Sequence, residues 1–189
     1  MDATRFWAVP GITAGLERAG HPVLAPDRPR RPTSWQAEAA QLARQLPKRP
    51  VALVAGSNGC SVAVRLALAF PGRVSRLLLA WPATAGDPVV DAHTRAGLTA
   101  LGAAGPTVRA LLGGETLRGV TDRELATLGM PVAVLPAVAE NSRHRRRTVD
   151  ALLGLLPSAA ELPGCPKPPH PAFTGHLNGF LASVARALR

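Results

Sequence analysis

The chain has 189 residues, 47% hydrophobic and 18% charged, which suits one globular domain with a substantial core and excludes a disordered chain. Its 22 Lys and Arg against 12 Asp and Glu leave a formal charge of +10, which favours nucleic acid or acidic lipid only where it gathers on one face. Here it is scattered. The dense run at 142–147 carries Arg143, Arg145, Arg146 and Arg147, which would spread around a helix at about 100° per residue, so nucleic acid is not an expected partner.

Two cysteines, Cys60 and Cys165, cannot build a disulfide scaffold, and no Cys-x-x-Cys or paired histidine spacing points to a metal or another cofactor. Charged residues break the N-terminal stretch where a signal peptide needs an apolar core, and no 18-residue window is apolar enough to span a bilayer. The expectation is a cytoplasmic protein with no membrane partner.

In chain order, residues 5–20 read as a helix interrupted near Pro10 and Gly11, and "HPVLAPD" as a short strand. "PTSWQAEAAQLARQLP" has Thr33 or Ser34 as its N-cap, Ala and Leu at helical spacing and a stop at Pro47. "PVALVAG" is a strand, "CSVAVRLALAF" a helix closed by Pro71 and Gly72, and "VSRLLLAWP" another strand. A Gly, Ala and Leu-rich stretch at about 83–129 holds helical pieces and no strand. The alternation then resumes with the strand "MPVAVLPAVA", the helix "SRHRRRTVDALLGLLP", the short strand "SAAELPG" and a closing amphipathic helix, "AFTGHLNGFLASVARALR". Strands so uniformly apolar are buried on both faces, so the fold class is α/β, a mostly parallel sheet covered by helices on both faces. The whole chain, 1–189, reads as one domain. The stretch at 83–129 follows a strand's C-terminal end, where open α/β sheets bind ligands, which makes it a candidate lid.

The chemistry centres on "VALVAGSNGC". A nucleophile elbow needs small residues two before and two after its serine, and Ala55 and Gly59 stand there around Ser57. Ser57 would be the nucleophile and the Asn58 N–H an oxyanion donor at the start of the next helix. The plainer alternative is a glycine loop that happens to hold a serine. A base and an acid should follow at later strand ends, in the order Ser, acid, His. Glu140 is the first carboxylate beyond "MPVAVLP", and His170 stands in a proline-rich loop before the last helix. Each has a bland reading too: Glu140 as a residue complementing a helix N-terminus, His170 as a solvated loop histidine.

These segments resemble the α/β-hydrolase superfamily over nearly the whole chain. "PVALVAGSNGCSVAVRLALAFPGRVSRLLLAWPA" is similar to the family's elbow strand, elbow, helix and next strand, with Ala55 and Cys60 where Gly is common. "MPVAVLPAVAEN" resembles the strand and turn carrying the acid, and His170 precedes Phe180 by the family's usual ten residues. The resemblance implies a triad of Ser57, Glu140 and His170, with Asp87 as an alternative acid, acting on a small-molecule carboxylic ester, thioester or lactone through an acyl-enzyme. It also implies a preceding strand and a His-Gly type loop with a second oxyanion N–H, and this sequence has neither. Met1 as an internal methionine of a longer product, direct pairing of "HPVLAPD" with "PVALVAG", or a non-catalytic relative serving as a binding or assembly module would each account for that. An exposed strand edge left by the gap would allow chains to pair as a homo-oligomer.

Other residues carry two readings each. Trp81, at a strand end, is either a wall of the substrate pocket or core. Cys60 beside Ser57 is either activated by the helix dipole or buried and inert. His176 and Phe180, four apart, read as a packing pair. His21, His93 and His144 have no partner that spacing supplies.

Overall fold

A computed structural model describes residues 2–29, 31 and 33–189. Four strands, β1 (Val51–Gly56), β2 (Val74–Ala80), β3 (Val132–Leu135) and β4 (Ala159–Glu161), pair in parallel in that order. Parallel neighbours require crossovers, and helices supply them. α1 (Ile12–Arg18) and α2 (Trp35–Ala43) precede the sheet, and α3 (Gly59–Ala69) links β1 to β2. α4 (Pro88–Ala100), α5 (Gly105–Leu112) and α6 (Asp122–Leu125) lie between β2 and β3; α7 (Arg146–Leu155) joins β3 to β4, and α8 (Phe173–Ala187) closes the chain.

Successive strand side chains point to opposite faces, so an apolar run such as β2 feeds two cores at once. Leu77 and Leu79 pack with Trp35 of α2, Val64 of α3 and Leu152 of α7. Leu78 and Ala80 pack on the other face with Ile12 and Leu16 of α1 and with Phe173, Phe180 and Val184 of α8. This double burial is why β2 and β3 lack the polar alternation of a half-exposed sheet.

Two expected elements differ. The N-terminal helix divides at Gly11, whose φ of 86° suits glycine, into a π-helical turn, Thr4–Ala8, and α1. The segment "HPVLAPD" forms no strand: residues 21–27 carry no ladder, and Leu24 is exposed. Pro22 and Pro26 have no N–H to give a ladder, which works against a strand there. The direct pairing with β1 that would close the sheet is therefore not made, and β1 is an edge among the described residues, with Ala52 exposed. Between β2 and β3 the chain holds helices and isolated bridges but, among the described residues, no strand. No described helix is long and apolar enough to cross a membrane.

Candidate active site

The turn from β1 into α3 has the backbone expected of an elbow. Ser57 has a φ of 55°, a left-handed conformation that costs a non-glycine residue roughly 1 kcal/mol or more. Its N–H donates to the Ala80 carbonyl at the end of β2 (3.0 Å), and its own carbonyl accepts from the Cys60 N–H (3.0 Å). The first bond pins the turn to the top of the sheet, and the second closes it onto the start of α3. A Cβ added to Gly59 would sit 3.9 Å from the Ala55 Cβ, an ordinary contact, so the turn tolerates an alanine there. Asn58 is the N-cap of α3, and its N–H has no backbone acceptor among the described residues.

The histidine that meets the serine is His144. Its Nε2 lies 3.0 Å from Ser57 Oγ, and its Nδ1 lies 3.2 Å from Asn141 Oδ1. An amide oxygen only accepts, so Nδ1 carries the proton and Nε2 is left with the lone pair that faces the serine hydroxyl. Asn141 Oδ1 also accepts from the Arg143 N–H (3.0 Å), and paired backbone bonds join Asn141 and His144. A second anchor is Thr84, after β2: its N–H donates to the Arg143 carbonyl (2.8 Å), and its Oγ1 accepts from the Arg145 N–H (2.9 Å) and from Thr148 Oγ1. The histidine loop is thus tied to the loop that follows the neighbouring strand. Burial first, then the charges of Lys167 and Arg143, hold the His144 imidazole down at about 4, so it stays neutral near pH 7.

The residues expected from sequence are placed differently. His170 is exposed, and its Nδ1 accepts from the Ala172 N–H (3.2 Å) at the start of α8. Glu140 is exposed and accepts from the Arg146 N–H (2.7 Å), capping α7 from outside. Neither meets Ser57, so the expected Ser57, Glu140 and His170 constellation gives way to Ser57, His144 and Asn141. Asp87 caps α4 through the Val90 N–H (3.1 Å) and pairs with Arg145 (2.7 Å); the Val90 N–H first, opposed by burial and joined by Arg145, lowers its carboxyl. Among the described residues no hydrogen bond or ion pair joins it to His144. Trp81 is core: fully buried, it stacks on Phe180 at 5.4 Å and donates from Nε1 to the Cys165 carbonyl (2.9 Å). Cys60 is also fully buried, and burial pushes its thiol far up, so it is inert. His176 is exposed beside the buried Phe180.

Spacing missed His144 because the arginine run 143–147 reads as helix from its start. In the structure Arg145 is extended and α7 begins at Arg146, which leaves His144 on the loop above β3. One usable signal was present: that loop follows the C-terminal end of a parallel strand, where sites are built.

Ser57 and His144 open onto a cavity of about 510 Å³. Asn58, Thr84, Arg118, Arg143 and Lys167 also line it, together with Val90 and Thr94 of α4. The helical stretch after β2 therefore does contribute walls to the site.

No family model matches the sequence, and no curated protein matches it. Solved structures do. A meta-cleavage product hydrolase of Pseudomonas fluorescens superposes with a TM-score of 0.71 at 15% identity, over 99% of this chain and 85% of that one. The chain has the α/β-hydrolase fold. A hydrolase of Pseudomonas aeruginosa gives 0.69 at 17% identity, over 99% and 87% of the two chains. NosK of Streptomyces actuosus gives 0.64 at 20%, over 93% and 90%. An α/β hydrolase from a lagoon-sediment metagenome gives 0.59 at 18%, over 82% and 69%.

Proposed function

We propose that the chain is a serine hydrolase cleaving a carboxylic ester, thioester or lactone through an acyl-enzyme on Ser57. The observation that carries this is the relay of Ser57 Oγ, His144 Nε2 at 3.0 Å and His144 Nδ1 to Asn141 Oδ1 at 3.2 Å. His144 takes the hydroxyl proton as Ser57 Oγ attacks the carbonyl, and the Asn58 N–H meets the developing oxyanion. The leaving alcohol or thiol takes that proton from His144 as its bond to the acyl carbon breaks. Water then gives a proton to His144, attacks the acyl group and frees the acid, and Ser57 recovers its hydrogen. With one oxyanion donor from the elbow the rate sits about a hundredfold to a thousandfold below a two-donor site.

A non-catalytic binding role has one observation in its favour: the group behind His144 is a neutral amide, which stabilises an imidazolium less than a carboxylate does. Hydrolysis of p-nitrophenyl butyrate, beside a Ser57→Ala control, separates the two. Turnover that the control abolishes supports the hydrolase; equal rates in both proteins reject it.

A further inference from the structure

Three cations and no carboxylate line the cavity in front of Ser57. Elsewhere in the chain half-buried arginines have acceptors: Arg65 pairs with Glu124, while Arg73 donates to the Leu46 and Pro47 carbonyls and Arg76 to the Arg189 carbonyl. Inside the cavity, Arg118 is held by Asp91 (2.6 Å), yet its buried Nε has no partner among the described residues. Arg143 and Lys167 meet no carboxylate among the described residues. The Lys167 ammonium is half-buried, donates only to the neighbouring Pro168 carbonyl (3.3 Å) and rests 5.4 Å from the Phe6 ring. Withdrawing an ammonium from water without an anion is unfavourable, and a like charge nearby adds to that. Burial and then Arg143 do lower the Lys167 pKa.

We propose that this cavity takes an acyl substrate bearing its own carboxylate, a half-ester or half-thioester of a dicarboxylic acid, with the free carboxylate held by Lys167 and Arg143. This assignment rests on the reading of Ser57 as nucleophile only for the ester end; the anion subsite stands on Lys167, Arg143 and Arg118 alone. Binding places a negative charge beside two unpaired cations and screens the field they impose on His144. That screening acts on the lesser causes of the lowered His144 pKa, the charges of Lys167 and Arg143, and leaves burial, the larger cause, in place.

The test uses the Ser57→Ala chain, which keeps the cavity and turns nothing over, titrated calorimetrically with monomethyl glutarate, glutaramide and inorganic phosphate. Monomethyl glutarate binding at least tenfold more tightly than glutaramide, weakening with salt, is expected. Lys167→Met, at a half-buried cation, should cost about tenfold in that affinity, and separately the exposed Arg143→Gln about two- to fivefold. Equal affinity for acid and amide, phosphate binding as tightly as the half-ester, or affinity untouched by both cation substitutions overturns the proposal. Activity of the unsubstituted chain on mono-p-nitrophenyl glutarate against p-nitrophenyl butyrate gives the independent arm. Selective anion binding with no turnover of either ester would reject the hydrolase reading and keep the anion subsite; turnover of both at equal kcat/KM would keep the hydrolase and reject the subsite.

Discussion

Replacing Asn141 by aspartate puts a carboxylate behind His144 without changing the shape of the site. Asn141 Oδ1 already accepts from two donors, His144 Nδ1 at 3.2 Å and the Arg143 N–H at 3.0 Å, and a carboxylate oxygen accepts both equally well. An opposite charge within about 4 Å raises a histidine pKa by about 1–3 units. Asn141 is exposed, so solvent screening keeps the shift near the lower end, about 1 unit. The acid limb of kcat/KM should then move up from about 4, where burial, Lys167 and Arg143 hold His144 in the parent chain. The same stabilisation of the imidazolium in the transition state is worth up to about 1.4 kcal/mol, or about tenfold in kcat at pH 7. A pH–rate profile of p-nitrophenyl butyrate hydrolysis for both proteins reads limb and plateau together. An unmoved limb with an unchanged plateau would refute the assignment of Asn141 as the residue that positions His144.

Thr84→Ala leaves the Arg145 N–H and the Thr148 hydroxyl without their acceptor in a buried position, and urea denaturation should report a loss of about 1–3 kcal/mol. Phe180→Ala removes the ring stacked on Trp81 and should cost about 3–5 kcal/mol, seen as a lower Tm, without altering the geometry at Ser57. His144 binds a proton more weakly folded than unfolded, so its contribution to stability is intact above the ordinary histidine value of 6.5 and is lost as pH falls towards about 4. His144→Gln should flatten that part of the stability–pH curve. Glu124, held at about 2 chiefly by the Arg65 guanidinium, stabilises the fold above its ordinary value of 4.5 and loses that effect as pH falls towards 2; Glu124→Gln should remove this dependence.

The fold was legible because β1, β2 and β3 are short apolar runs bounded by turn residues, and because helical spacing separates them. "HPVLAPD" carried the same apolar signal, but its prolines and exposed leucine keep it out of the sheet. The sharp turn at Ser57 was legible for a local reason: small residues around the serine limit what the backbone can do. The histidine beside Ser57 was not, since its identity depends on which loop reaches over the sheet. His170 had the right sequence interval, but the chain spends it at the entry to α8, while Glu140 is spent on capping α7. His144 was hidden in an arginine run whose members part company in three dimensions: Arg143 lines the cavity, Arg145 pairs with Asp87, and Arg146 pairs with Asp150 and Glu161.

Covalent labelling of the full chain with a fluorophosphonate, read by intact mass, tests the relay most directly when Ser57→Ala, His144→Ala and His170→Ala are run beside the parent. One adduct is expected on the parent and on His170→Ala, and none on Ser57→Ala or His144→Ala. Labelling that survives His144→Ala and disappears in His170→Ala would contradict the relay.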